Sequence, residues 1–218
     1  MSATARRVRY RKQREDTRRE ILDAAADFLS DQPFRDLSVD ALMSQVGLTR
    51  TAFYRHFDDT TELVLRLLEE LVSRLYPVAE RWRAIAGANY PEAAREALEA
   101  VVDVFVTDGP LLRAITDAAS LDDRIEAAYR EIMEGFIALT AATLDRLVAE
   151  GRIDVPDTLA LARALNLMNE AYLLDEFGRE PFGDRDTALA TVERIWLMAA
   201  GPGSRTPLRP VEPSQEVH

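Results

Sequence analysis

Residues 38–60 read SVDALMSQVGLTRTAFYRHFDDT, and their pattern predicts two short helices joined by a tight turn. Ser38 and Thr49 each precede a helical pattern, at the position where a side-chain hydroxyl caps the first free amide groups. Gly47 lies between the two patterns, where a residue in the left-handed conformation can end a helix. We therefore predict a helix-turn-helix whose second helix covers residues 50–57.

The second of these helices is predicted to have one buried and one polar face. Phe53 and Phe57 lie four positions apart and so share a face. The side chains directed elsewhere are Arg50, Thr51, Tyr54, Arg55 and His56. A short helix of this kind behind a glycine-containing turn is typical of motifs that insert a helix into the DNA major groove. An ordinary helical hairpin in a protein core would also explain the three aromatic residues.

Charge is distributed unevenly along the chain. The formal net charge is -11, which by itself argues against a nucleic-acid partner. Residues 1–57, however, hold eleven Arg and Lys against eight Asp and Glu, whereas residues 58–218 hold 16 against 30. The N-terminal part is thus suited to phosphates and the remainder repels them. This asymmetry favours the interpretation as a double-stranded DNA-binding segment.

Residues 1–16 are predicted to form a basic flexible arm, because they show no apolar periodicity. Thr17-x-x-Glu20 follows the pattern of a capping box and predicts that the first helix begins there. Such an arm commonly lies along phosphates or enters the minor groove, although a solvated tail would have the same composition. The basic excess is carried by Arg6, Arg7, Arg9, Arg11, Lys12, Arg14, Arg18 and Arg19.

The rest of the chain has helical periodicity with no competing strand alternation, so the predicted fold class is all-α with about nine helices, two of which are separated by a break at Gly109 and Pro110. Residues 17–60 form a three-helix DNA-binding domain with the helix-turn-helix, and residues 61–200 a helical ligand-binding and dimerisation domain. Residues 201–218 hold four prolines in eighteen positions and are predicted to be a disordered tail. No stretch approaches the length of a membrane span, so no membrane partner is expected.

The amino-acid composition of the chain gives little support for a catalytic site. The only histidines are His56 and His218, and there is no cysteine. A histidine-based metal site, a Ser-His pair or a thiolate site therefore cannot be assembled. No glycine-rich phosphate loop is present either. We expect a protein that is not an enzyme and has no cofactor, and the lack of cysteine is compatible with a cytoplasmic location.

The run GLTRTAFYRHF at residues 47–57, with Leu37 and Ser38 before it and Asp59 and Leu63 after it, resembles the DNA-binding signature of TetR-family regulators. The resemblance implies that Arg50, Thr51 and Arg55 contact bases. It also implies that Ser38, Thr49, Tyr54 and His56 contact backbone phosphates. Many family members carry a Lys where this chain has Thr60, which offers only a neutral hydrogen bond to the phosphate.

The segments ALNLMNE at 164–170, ERIW at 193–196 and FIALTAA at 136–142 are similar to a mycobacterial, EthR-like subgroup of that family, which controls ethionamide activation. That resemblance implies a long hydrophobic channel in the C-terminal domain. Its implied lining residues are Phe105, Tyr129, Met133, Phe136, Thr140, Asn166, Asn169, Leu173, Leu174 and Trp196. The resemblance also implies that the two asparagines are amide donors to the ligand. The residue spacing alone leaves a second interpretation open, in which the two asparagines only bond to neighbouring helices.

Together these patterns predict a ligand-responsive transcriptional regulator. The expected protein is a homodimeric repressor that binds a palindromic double-stranded DNA operator. A hydrophobic small-molecule effector would release it. The effector is expected to be neutral and to carry one carbonyl-like acceptor, because the predicted cavity lining contains no charged side chain. The alternative is a helical small-molecule binding protein that has kept a vestigial helix-turn-helix. Affinity for a palindromic duplex distinguishes the two.

Overall fold

The computed structural model describes residues 3–86 and 89–200, with side chains from Arg11 onward except that of Ile85. Within this part of the chain every regular element is helical and there is no strand, as predicted for the all-α class. A single 3-10 turn, Phe34–Asp36, follows the first helix. The eight α-helices are α1 (Ala3–Asp31), α2 (Val39–Gln45), α3 (Arg50–Phe53), α4 (Thr60–Ile85), α5 (Tyr90–Ala119), α6 (Asp123–Ala149), α7 (Thr158–Phe177) and α8 (Arg185–Ala200).

The helix count differs from nine because the two helices predicted on either side of Gly109 and Pro110 form one interrupted helix, α5. Asp108 has φ -123° and ψ 16° there, outside helical values. Pro110 has no amide hydrogen, so the hydrogen-bond ladder loses a donor at the same place. A Cβ on Gly109 would lie 2.1 Å from the carbonyl oxygen of Phe177. Glycine therefore allows α5 to pass close to the end of α7.

The prediction that the first helix begins at Thr17 is wrong. Helix α1 begins at Ala3, and the Thr17 hydroxyl donates a hydrogen bond to the Gln13 carbonyl, 3.0 Å away, inside the helix. Arg, Lys, Gln and Glu have high helix propensities, so this polar segment is helical without an apolar face. The side chains of the first ten residues and the predicted tail at 201–218 lie outside the described part of the chain.

The N-terminal domain has a small core built around one face of α1. Ile21, Leu22 and Ala25 on that face are fully buried. They belong to the same apolar cluster as Phe53 and Phe57. Helices as short as α2 and α3 are unstable alone, so this packing is what stabilises them.

Helix α4 connects this domain to the C-terminal one. Its first turns are buried at Leu63 and Val64, and its far end is buried at Trp82. Pro77 lies within the helix, which continues past it. Helices α4 to α8 pack around the second core. None of the helices in the described ranges is both long and apolar enough to cross a lipid bilayer.

Candidate nucleic-acid interface and internal cavity

The helix-turn-helix forms with the caps that the sequence predicts. Ser38 Oγ accepts a hydrogen bond of 3.2 Å from the Ala41 amide, and Thr49 Oγ1 accepts one of 3.2 Å from the Ala52 amide. Gly47 has a positive φ of 67°, where a side chain would be strained. These three positions set the angle between α2 and α3.

Helix α3 is shorter than predicted, because it ends at Phe53 and continues as a turn through His56. Phe53 and Phe57 are almost completely buried, as their spacing indicates. The side chains expected at DNA all keep solvent access, since six of them are exposed and the last two are half-buried. They are Ser38, Thr49, Arg50, Thr51, Tyr54, Arg55, His56 and Thr60.

Arg50 is held in place before any DNA is present. Its Nη1 donates to Asp40 Oδ2 at 2.8 Å, and its Nη2 donates to the Tyr54 hydroxyl at 3.2 Å. Its guanidinium carbon lies 5.6 Å from the centre of the Tyr54 ring. The hydrogen bond to Tyr54 and the charge of Asp40 both raise the pKa of Arg50. Sequence reasoning missed Asp40, since nothing in its spacing shows that α2 brings it to Arg50.

The middle of α1 adds positive charge beside the recognition segment. Arg14 Nη2 donates to the Arg55 carbonyl at 3.3 Å, and the guanidinium of Arg18 lies 5.7 Å from the centre of the Phe57 ring. His56 is close to both. Burial, followed by the charges of Arg14 and Arg18, lowers the pKa of His56 below its usual value of 6.5. The neutral form of His56 is thereby favoured in the free protein.

A cavity of about 140 Å³ lies between α4, α5, α6, α7 and α8, roughly ten times the space that one water needs. Most of the side chains predicted to bind a ligand line it. They are Phe105, Tyr129, Met133, Phe136, Thr140, Asn166, Asn169 and Trp196. Leu173 is fully buried in the core and Leu174 nearly so, and neither belongs to the lining.

The two asparagines have different hydrogen bonds. Asn166 Nδ2 donates to Thr140 Oγ1 at 3.1 Å and to the Ala162 carbonyl at 2.8 Å. Both of its donors are used, so it presents an acceptor oxygen rather than the donor expected. Asn169 Oδ1 accepts from Trp196 Nε1 at 3.1 Å, and its amide nitrogen donates to no other group in the described ranges. The pair thus offers one acceptor and one donor to the cavity.

A carboxylate also lines the cavity, contrary to the expectation that it contains no charged group. Glu170 lies one position after Asn169 on α7, and its Oε1 accepts a hydrogen bond of 2.7 Å from the Tyr129 hydroxyl. Burial, and then the nearby charge of Glu170, raises the pKa of Tyr129. The phenol is therefore protonated and is the donor. The spacing could have revealed Glu170, which shares a helix face with Asn166 four positions earlier.

Helix α4 supplies a wall of the cavity whose residues are not among the lining residues expected from the sequence. The residues recur three or four positions apart, which is the signal of one helix face. They are Leu68, Leu71, Val72, Leu75, Val78, Ala79 and Trp82. The Trp82 ring packs edge-on against Trp196, with centroids 5.8 Å apart. Its buried Nε1 has no hydrogen-bond partner among the described residues.

Two cross-links join the start of α4 to the start of α6. Thr61 Oγ1 donates to Asp122 Oδ2 at 2.6 Å, and Arg124 Nη1 donates to Asp59 Oδ2 at 2.7 Å. Asp59 caps α4 and Asp122 caps α6, so each cap is bound by a residue of the other helix. The hydrogen bond from Thr61 is the main cause that lowers the pKa of Asp122. We call these four residues the cap link.

Comparison with known proteins identifies both halves of the chain. Residues 21–67 match the family model described as bacterial regulatory proteins, tetR family. Residues 94–200 match the model of the C-terminal domain of the transcriptional regulator EthR. The HTH-type transcriptional regulator EthR of Mycobacterium tuberculosis strain H37Rv is 31% identical over 185 residues, covering 81% of this chain and 83% of the relative. Its counterpart in Mycolicibacterium smegmatis is 29% identical over 187 residues, covering 84% and 85%.

The fold agrees with these matches. A crystal structure of a putative TetR-family transcriptional regulator from Syntrophomonas wolfei superposes with a TM-score of 0.70, covering 84% of this chain and 94% of that one at 14% identity. These relatives are transcriptional regulators and not enzymes. The chain, with its capped helix-turn-helix and its EthR-type C-terminal domain, belongs to the TetR family of bacterial transcriptional regulators.

Proposed function

We propose that this regulator is a repressor that binds a palindromic DNA operator as a homodimer and is released by a mostly apolar small molecule in the cavity. The observation that carries the proposal is the cap link. It ties the first turn of α4, which follows the recognition segment directly, to α6, which lines the cavity with Tyr129, Met133 and Phe136. A ligand that fills the cavity and shifts α6 would therefore move the first turn of α4, which adjoins the DNA-binding domain.

On the DNA side, Arg50, Thr51 and Arg55 are the proposed base contacts. Their side chains are exposed on and just after α3, and arginine reads guanine through two parallel hydrogen bonds. The proposed phosphate contacts are Ser38, Thr49, Tyr54, His56 and Thr60. They surround the same segment with hydrogen-bond donors, which set the register of the protein on the duplex.

The homodimer is supported by apolar side chains that the protomer leaves exposed near its C-terminal end. On α8, Ile195 and Met198 lie three positions apart and expose 38% and 69% of their surface. On α7, Leu159 and Leu167 are exposed as well. An interface formed by the same patch on both copies would cover them and set the distance between two recognition helices. Leu165 and Leu189 are buried within the protomer and are not available for it.

The effector is proposed to be largely apolar, because aromatic and aliphatic side chains form most of the cavity wall. Asn169 supplies a free amide donor and Asn166 an acceptor, so the molecule carries a polar group that can bond to both. A ligand changes DNA affinity only if it binds the DNA-competent and the released states differently. In the released state the two recognition helices would no longer match successive major grooves, about 34–36 Å apart.

The experiment that tests this function is selection of duplexes from a random-sequence library by the purified full-length protein, followed by sizing of the complex. The proposal predicts an enriched inverted repeat bound by an even number of protomers. Enrichment of a single unrepeated site would overturn the proposal that the protein binds DNA as a homodimer. No enriched sequence at all, in a protein whose cavity still takes up small molecules, would favour the alternative of a binding protein with a vestigial helix-turn-helix.

A further inference from the structure

Glu170 is an acidic side chain in the wall of an otherwise apolar cavity. It is half-buried, and no Arg, Lys or His side chain lies within 4.0 Å of its carboxylate in the described ranges. Some other acidic groups of the C-terminal domain are paired with an arginine. Glu134 on α6, for example, lies 2.9 Å from Arg163 on α7. Glu170 thus contributes a negative charge that the protein itself does not neutralise.

The contacts of Glu170 leave most of its hydrogen-bonding capacity free. An ionised carboxylate has about four acceptor sites, and the Tyr129 hydroxyl occupies one of them at 2.7 Å. Because that donor is a neutral phenol, it orients the carboxylate without cancelling its charge. A cation that enters the cavity would find an acceptor already aligned by Tyr129.

The surrounding wall strengthens the preference for a positive group. Apolar walls make a charge more costly when it is unpaired and more attractive to an opposite charge, because the local dielectric is low. Trp82, Phe105, Phe136 and Trp196 line the same cavity, and aromatic ring faces attract ammonium groups. The net negative charge of residues 58–218 acts in the same direction on an approaching ligand.

We propose that the effector carries one protonated amine, which pairs with Glu170, on an otherwise apolar body that fills the cavity. This inference rests on the proposed function, since it specifies the chemistry of the same ligand. It replaces the neutral molecule expected from the sequence by a lipophilic amine. Asn169 and Asn166 are close enough along α7 to bond to the same end of such a molecule.

The test uses three probes of equal chain length, octylamine, octanol and octanoate, which present a cation, a neutral group and an anion at pH 7. Binding of each is measured by calorimetry and by the shift in melting temperature, with the full-length protein. The variants are Glu170→Gln, whose amide oxygen can still accept from Tyr129, and Glu134→Gln, which removes an equal charge from the surface pair with Arg163. The melting temperature without probe shows that each variant is folded.

We expect octylamine to bind the wild type about tenfold or more tightly than octanol, the size of one hydrogen bond to a charged group. Octanoate should bind most weakly. Glu170→Gln should remove the preference for the amine, whereas Glu134→Gln should keep it. Equal affinities for octylamine and octanol, or a preference that survives in Glu170→Gln, would overturn the amine proposal and leave the apolar cavity in place. Failure of all three probes to bind would overturn the cavity as an effector site and this proposal with it.

Discussion

Thr61 and Asp122 share a hydrogen bond of 2.6 Å that joins the first turn of α4 to the cap of α6. Arg124 and Asp59 repeat the contact in the opposite direction. The position of a capping residue is fixed, because its side chain already accepts hydrogen bonds from the first amides of its own helix. A shift of α6 caused by a ligand would therefore be passed to α4 at the position where the DNA-binding domain is attached.

The first prediction concerns this link. Thr61→Val keeps the shape of the side chain and removes the hydrogen bond to Asp122. In the wild type a ligand should change operator affinity by about 5- to 150-fold, the usual range for coupled sites. In the variant that change should fall to a few-fold, and stability should drop by about 1 kcal/mol. Operator titrations with and without octylamine measure the coupling.

The matched control is Thr158→Val. Thr158 Oγ1 donates to Asp145 Oδ1 at 2.5 Å, which is the same kind of bond located within the C-terminal domain. This variant should lose similar stability and keep the full coupling. If Thr61→Val is as responsive to ligand as the control, the cap link is not the route between the two sites.

The second prediction concerns base recognition by Arg50. Arg50→Ala should weaken binding to the selected operator by about 1–3 kcal/mol and blur the base preference at one position. Asp40→Asn keeps Arg50 but frees its guanidinium from the 2.8 Å ion pair. That variant should bind scrambled DNA more tightly than the wild type does, and the difference between its affinities for operator and scrambled duplex should be smaller. Equal losses on operator and scrambled duplex for Arg50→Ala would contradict its role in reading bases.

The third prediction is a pH dependence of DNA binding. Burial and the nearby arginines lower the pKa of His56 in the free protein, while a phosphate beside it would favour the charged form and raise that pKa in the complex. The complex then binds the proton more tightly than the free protein does. Affinity should therefore rise as the pH falls from 8 to 6, by up to about tenfold per unit.

The chain offers its own control for this effect, because His218 is the only other histidine. His56→Gln should flatten the pH profile and His218→Gln should leave it unchanged. A profile that stays steep in His56→Gln would mean that another group takes up the proton and that His56 does not contact the phosphate.

The fourth prediction concerns assembly. Ile195→Glu combined with Met198→Glu places two charges on the exposed face of α8 without touching the core. The product should be a folded monomer with much weaker operator binding, as judged by light scattering and circular dichroism. Leu121→Glu changes an equally exposed leucine in the turn between α5 and α6 and should remain dimeric. A dimer that persists in the double variant would place the interface elsewhere.

Much of the fold could be predicted from local signals. Ser38, Thr49, Asp59, Asp122 and Asp157 each stand before an apolar periodic run, and each caps a helix. The start of α1 could not be predicted in this way. Its first turns have no apolar face, and the pattern at Thr17 that resembles a cap lies inside the helix. A segment with high helix propensity but no apolar periodicity does not show at which residue its helix begins.

The site residues could be predicted from the sequence where they share a face of one helix. Contacts between residues of two different helices could not be predicted. The lining residues on α6 and α7 share a face of their own helix, so their spacing indicates them. The pairs Asp40 with Arg50 and Thr61 with Asp122 join residues of different elements, and no periodicity within one segment encodes such a contact. The direction in which Asn166 points its amide likewise depends on Thr140 of another helix.

The central claim is that occupancy of the cavity and binding of the operator oppose each other. Its most direct measurement is the affinity of the wild type for the selected duplex, titrated with octylamine or octanol, whichever binds more tightly, beside the variant Asn169→Leu. The operator affinity of the wild type should fall by about 5- to 150-fold as the ligand is added. The operator affinity of Asn169→Leu should change much less, and without ligand it should equal that of the wild type. Operator affinity that stays constant while the cavity is shown to be filled would contradict it.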